Sequence, residues 1–238
     1  MNGPEAIRKP PKPEVAGRRR ERRIVMLASS VGFLLFLVVF TFLPNAGPVF
    51  RVFTNPSASM VPSMPVGTYS IVSRASYGYS RHSFDFFSLP IDGRWPAWPP
   101  SRGDIAVFRL PRNPATFYVK RIVGLPGDRV QMIGGRLSLN GELVPNAAIS
   151  RAPDPADPKN EIVTYLETLP GNTSYHIVRS EGVNRTFGNT EVFRVPPGHL
   201  FTLGDNRDNS IDSRHHSQRF GVGFVPLELV IGRVVATF

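Results

Sequence analysis

A mostly β fold behind one N-terminal membrane helix is what this sequence predicts, on three observations. Residues 24–43, IVMLASSVGFLLFLVVFTFL, are twenty consecutive positions without a charge. Beyond them helical periodicity gives way to short β-branched and aromatic runs. The chain also carries 24 prolines and 21 glycines, most of them in that second region, where strands need turns.

The apolar run comes first. At about 1.5 Å per residue, twenty helical residues span roughly the 30 Å hydrocarbon core of a bilayer. A helix in a soluble core would show a polar stripe, and this one has none. A cleavable signal peptide is the competing reading, but its apolar region is shorter, about 7–15 residues, and ends in a small-x-small site. Here the run ends in Leu43-Pro44, which favours a retained anchor. RRRERR precedes it at 18–23, whereas no cation follows until Arg51. The bias of positive charge sets residues 1–23 as a basic cytoplasmic tail, 24–43 as the anchor, and 44–238 as an exported domain.

Within 44–238, strands are expected at Phe50–Phe53, Tyr69–Val72, Ile105–Leu110, Phe117–Val123, Gly198–Leu203 and Leu229–Thr237. Gly134-Gly135 and Asn140-Gly141 are two-residue turn signals on either side of Arg136–Leu139, so 131–144 reads as a meander. Two stretches read as insertions. Residues 78–102 mix Phe84, Phe86, Phe87, Trp95 and Trp98 with prolines, and suit either a bilayer interface or a small satellite core. Residues 145–197 are polar and irregular, an elaboration on the main sheet.

Composition removes several function classes. There is no cysteine, hence no thiolate nucleophile, disulfide or thiolate metal site. The net charge is +10, but residues 1–23 hold +5 of it, so the other 215 residues carry only a modest excess. A nucleic-acid surface is not indicated. Asp208 could open an acidic calcium loop, but its sixth position is Ser213 and its twelfth Arg219, which fails the EF-hand pattern. His215-His216 has no partner cluster at ligand spacing and reads as an exposed loop pair. No metal and no cofactor is implied.

Two segments carry chemistry. NPSASMVPSMPVG (55–67) places Ser57 and Ser59 in a proline-bounded turn, though such pairs are usually plain loop residues. In TFYVKRIVGLPGDRV (116–130), strand alternation puts Tyr118, Lys120 and Ile122 on one face. A lysine among apolar neighbours loses protons more readily, because burial disfavours the ammonium, and can then serve as a general base. The chain uses only four lysines among 28 basic residues, which draws attention to this one. A lysine snorkelling from a sheet edge fits the same segment. A serine with a lysine base is a known variant of the serine nucleophile arrangement.

Four boxes in order, NPSASMVPSMPVG, RGDIAVFRLP (102–111), YVKRIVGLPGDRV (118–130) and GDNRDNSIDSR (204–214), resemble bacterial type I signal peptidases. These are membrane-anchored Ser-Lys endopeptidases that share a β-fold with the self-cleaving repressors. The resemblance implies Ser59 as nucleophile, Lys120 as general base, Ser57 as oxyanion-hole serine and Ser210 as the serine that orients the lysine. It implies an Asp212–Arg214 ion pair in support, with Asp205 and Asn206 in the same turn. Substrates would be exported preproteins bound as an added strand, with small side chains before the cut. Met60, Tyr118 and Val119 would wall the shallow pockets. Membrane lipid is the other implied partner, and the location is the bacterial cytoplasmic membrane with the catalytic domain outside. Ala58 stands where glycine is usual, and the chain after Arg214 is longer than the common pattern. A dedicated maturation peptidase of a conjugation or pilus system is the nearest alternative. A catalytically inactive, membrane-tethered binding domain is the alternative of a different class.

Overall fold

The computed structural model describes residues 13–42, 47–85, 87–154, 158–181, 187–216 and 221–238, with side chains of the first helix described at Arg23 and from Val25 to Val38. That helix runs Pro13–Phe42. Its apolar side chains stand in the open, from Leu37 at 41% exposed to Leu27 at 66%. Among the described residues no helix is long and apolar enough to cross a membrane. Leu43, the last residue of the expected anchor, and residues 1–12 of the expected tail lie outside the described residues.

Among the described residues the rest is built of strands. The main sheet has seven, ordered Phe50–Thr54, Tyr69–Ser73, Val230–Thr237, Ile105–Leu110, Asn113–Gly124, His199–Leu203 and Val225–Pro226. Every neighbouring pair is antiparallel. Each of the six expected strands is present within a residue or two at most ends. The exception is Phe117–Val123, which begins earlier, at Asn113. The meander also forms: Arg129–Ile133, Arg136–Leu139 and Glu142–Leu143 pair in sequence, and Phe193–Arg194 joins its outer edge. Both of its turns need left-handed backbone, supplied by Gly134, Gly135, Asn140 and Gly141 at φ 57, 77, 57 and 95.

The two insertions are better ordered than their composition suggests. Residues 78–102 hold a short ribbon, Tyr79–Ser80 against Arg94–Trp95. Arg94 ties it down through the carbonyls of Tyr77, Leu227 and Val230. Phe84 stacks between Tyr79 and Phe87, while Trp95 and Trp98 stay largely exposed; Phe86 lies outside the described residues. Residues 145–197 contain a sheet of their own, Asn146–Pro153, Glu161–Leu169 and Thr173–Glu181, rather than an extension of the main one. Its Leu169, Tyr175 and Ile177 share one core with Val130 and Leu137 of the meander and Phe201 and Leu203 of the main sheet. That common core is why a polar stretch folds: Leu169, Tyr175 and Ile177 point inward from the second and third strands, while Asn146–Pro153 lies on the outside with nearly all its residues exposed.

Candidate active site

Ser59 sits in the loop between the first two strands of the main sheet. A single 3-10 turn, Ala58–Met60, begins at Ser57, whose side chain accepts the Ser59 N–H. Three contacts fix the turn. Met60 is fully buried beneath it. The buried Asn55 amide donates to the carbonyls of Met64 and Pro65 at 3.0 and 3.2 Å. The Asn206 N–H, from across the site, donates to the Ser59 carbonyl at 3.1 Å. The Ser59 hydroxyl is thereby held at the floor of a cleft, 7% exposed as a residue.

Lys120 comes up from the strand next to the loop. Its cross-strand partner is Ala106, a side chain too small to crowd it, and Tyr118 and Ile122 flank it along its own face. Its ammonium nitrogen lies 2.6 Å from Ser59 Oγ and 3.0 Å from the Val119 carbonyl. The residue is 3% exposed, so the snorkelling alternative is ruled out. Burial is the largest influence on its titration and lowers its pKa to about 8. The charges of Asp212 and Asp205 pull the other way, and Arg214 lowers it further.

The wall opposite is the loop 204–214, framed by three buried arginine–carboxylate pairs. Asp205 receives Arg121 through both oxygens at 2.8 and 2.7 Å. Arg207 grips Glu167, which comes from the three-stranded sheet and also accepts the Tyr175 hydroxyl at 2.6 Å. Arg214 meets Asp212 through two bonds of 2.9 Å, and the Gly204 N–H adds a third contact at 3.0 Å. Burial opposes ionisation of Asp212, but the Arg214 charge and these donors hold its carboxyl far below the usual carboxylate range. Gly204 is needed for closeness: a Cβ there would lie 2.1 Å from Ser210 Oγ and 2.6 Å from the Ser59 carbonyl.

The expected site residues converge. Ser57, Ser59, Tyr118, Val119, Lys120 and Ser210 all line one cavity of about 580 Å³. The Asp212–Arg214 pair stands behind it, and Asp205 and Asn206 form its supporting turn. Three details differ from expectation. Ser210 Oγ is buried and has no hydrogen-bond partner among the described residues, so no bond to Lys120 is formed. Met60 is a core residue and does not line the cavity. His215 is not an exposed loop histidine: it is buried, lines the cavity, and lies against Phe187 with ring centroids 4.0 Å apart. The chain turns inward there, and Gly221 packs so closely that a Cβ would meet the His215 carbonyl at 1.7 Å. His216, by contrast, is exposed.

Arg121, Arg207, Glu167 and Tyr175 were not legible as site residues. Arg121 adjoins Lys120 and Arg207 lies inside the last box, so a demand for countercharges could have flagged them. Glu167 gives no such signal, because its partner is 40 positions away. Among the described residues no group of three or more His, Cys, Asp or Glu is placed to hold a metal ion.

A family profile described as signal peptidase, peptidase S26, matches residues 24–238. The chain is 40% identical over 191 residues to a signal peptidase I of Rickettsia massiliae, covering 76% of this chain and 68% of that protein. It is 38% identical over 206 residues to that of Rickettsia typhi, covering 82% and 75%. The chain belongs to the signal peptidase family, peptidase S26. It is therefore a serine endopeptidase, and the cleft just described is the feature of the fold that suits such chemistry. A solved signal peptidase I from Enterococcus faecalis is 28% identical and covers 58% of this chain and 98% of its own, with a TM-score of 0.33.

Proposed function

We propose that this signal peptidase family member removes signal peptides from exported preproteins, with Ser59 as nucleophile and Lys120 as its general base. The observation that carries the reading is the 2.6 Å contact between Ser59 Oγ and a lysine 3% exposed to solvent. Once deprotonated, Lys120 accepts the Ser59 proton through that contact. Ser59 Oγ bonds to the scissile carbonyl carbon, whose oxygen takes the negative charge. As the tetrahedral species collapses, the lysine returns its proton to the leaving amine and the acyl-enzyme remains. A water then gives a proton to Lys120 and attacks the ester. As this second tetrahedral species collapses, Lys120 passes that proton to the departing Ser59 Oγ, which restores the pair. The signal peptide acid is freed and ionises in solvent.

Substrate alignment is supported by the sheet. Pairing of Asn113–Gly124 with His199–Leu203 stops at Arg121, so among the described residues no strand covers that edge of Thr116–Lys120. Those residues line the cavity, where an extended peptide could add as a strand. Tyr118 and Val119 then face its side chains and limit their size. Ser210, Asp212 and Arg214 hold the far wall, and Asp205 and Asn206 hold the nucleophile loop through the Asn206 N–H.

Residues 24–43 are proposed as the anchor in the bacterial cytoplasmic membrane, with the basic tail inside and the cleft outside. Support comes from the charge-free run of twenty and from the exposed apolar side chains of Val25–Val38. Cleavage of a preprotein by the detergent-solubilised full chain tests the activity, beside Ser59→Ala and Lys120→Arg. Cutting at the signal junction by wild type alone is expected. Cutting that survives both substitutions would overturn the assignment.

A further inference from the structure

We propose that His215 is a positioning residue for the Ser59–Lys120 pair, acting through the turn that carries Asp212. The proposal rests on the reading of Ser59 and Lys120 as the reacting groups. His215 is buried, with its side chain 11% exposed, and its ring forms part of the cavity wall. The Asp212 N–H donates to His215 Nδ1 at 3.3 Å, and the His215 N–H donates back to the Asp212 carbonyl at 3.0 Å. Phe187 backs the ring. The turn closed by these two bonds presents the Asp212 carboxylate to the Gly204 N–H at 3.0 Å. Gly204 in turn lies against Ser210 and the Ser59 carbonyl. A contiguous path thus joins the imidazole to the nucleophile.

The geometry requires a neutral ring. Nδ1 can accept the Asp212 N–H only when its lone pair is free, which places the proton on Nε2. Protonation turns Nδ1 into a second donor facing that N–H. The ring must then swing, and its new charge draws the Asp212 carboxylate, 3.8 Å away, off the Gly204 N–H. Among the described residues the charged or titratable groups around His215 are Asp208, Asp212 and Arg214 on its own loop, and Lys120 and Tyr118 across the shared cavity.

His215→Asn and His215→Phe separate the possibilities. The Asn side-chain oxygen can sit where Nδ1 sits and accept the same N–H. Phe keeps the ring against Phe187 and loses the acceptor. In preprotein cleavage by the full chain at pH 9, His215→Asn, which keeps the acceptor, should retain near-wild-type kcat. His215→Phe should lose about fivefold or more in kcat at pH 9 with KM little changed, the effect of one ordinary hydrogen bond. A loss in His215→Asn as large as that in His215→Phe, or wild-type kcat in His215→Phe, would overturn the proposal. Nitrogen-15 shifts of the His215 ring in the wild-type chain at pH 8 give a readout independent of cleavage. A bare Nδ1 is expected, and a protonated Nδ1 would overturn the proposal whatever the activity. If wild type cuts no preprotein yet Nδ1 is bare, it is the reading of Ser59 and Lys120 as the reacting pair that fails, and the proposal with it.

Discussion

The Ser57 hydroxyl engages the backbone N–H and the hydroxyl of Ser59 at once: it accepts the Ser59 N–H at 3.1 Å and donates to Ser59 Oγ at 2.9 Å. Without a substrate, the N–H best placed to stabilise an oxyanion is therefore already occupied. A substrate carbonyl entering the cleft would take over that N–H, and rotation about the Ser57 side chain would turn its own O–H toward the same oxygen. The two donors would then serve the charge that develops in the transition state and not the resting peptide.

Ser57→Ala separates those donors. The Ser59 N–H remains while the second donor is lost, so kcat should fall about 10²–10³-fold with KM nearly unchanged, as for removal of one oxyanion donor. Steady-state cleavage of a preprotein measures both. Equal losses in binding and turnover would mean that Ser57 only shapes the loop.

Lys120 carries a stability consequence with a definite sign. Its pKa is lowered from 10.5 to about 8 by burial, so the unfolded chain binds the proton more tightly than the folded one. Below pH 8 that difference costs the fold about 3 kcal/mol, at 1.36 kcal/mol per unit of pKa. The cost fades as pH rises from 8 to 10.5. Lys120→Met should therefore be more stable than wild type near neutral pH, and the gap in urea unfolding free energy should close at the alkaline end.

Asp212→Asn leaves the buried Arg214 without its countercharge. A loss of about 3–5 kcal/mol in unfolding free energy is expected, the usual cost of breaking a buried pair on one side. The Asp212 charge also holds the Lys120 pKa up against burial. In whatever activity remains, the acid limb should therefore move to lower pH. A limb that stays in place would mean that the two groups do not interact.

Gly204→Ala tests the closeness of the two walls. The added Cβ would lie 2.6 Å from the Ser59 carbonyl, a backbone atom that cannot move without carrying the Ser59 side chain with it. Activity should drop well before stability accounts for it. This can be seen by comparing cleavage and thermal unfolding at a temperature where the variant is still folded.

Strand positions could be read from the chain because they depend on local pattern. Ile105–Leu110 is a short apolar run and forms a strand with both faces buried, and the Gly-Gly and Asn-Gly pairs make the meander turns that favour such residues. Lys120 draws attention as a strand lysine in a chain with only four, whereas the S-x-S pair alone is an ordinary loop feature and Ser59 is picked out by the resemblance of the four boxes. The three-stranded sheet was missed since its core is shared: Tyr175 and Ile177 are buried by the meander, not by each other, and no local period reveals that. Glu167 and His215 failed for a related reason. A buried charge is defined by its partner, and Arg207 lies 40 residues from Glu167. His215 looked like a loop histidine because nothing in its neighbours discloses that the chain turns inward.

The most direct test is a nuclear magnetic resonance titration of the Lys120 side-chain nitrogen in the intact chain, with Lys120→Arg to assign the signal. A midpoint near 8, well below the ordinary 10.5 of a lysine, is expected from its burial beside Ser59. A midpoint near 10.5 would leave Lys120 charged at working pH, unable to accept the Ser59 proton, and would contradict the proposed dyad.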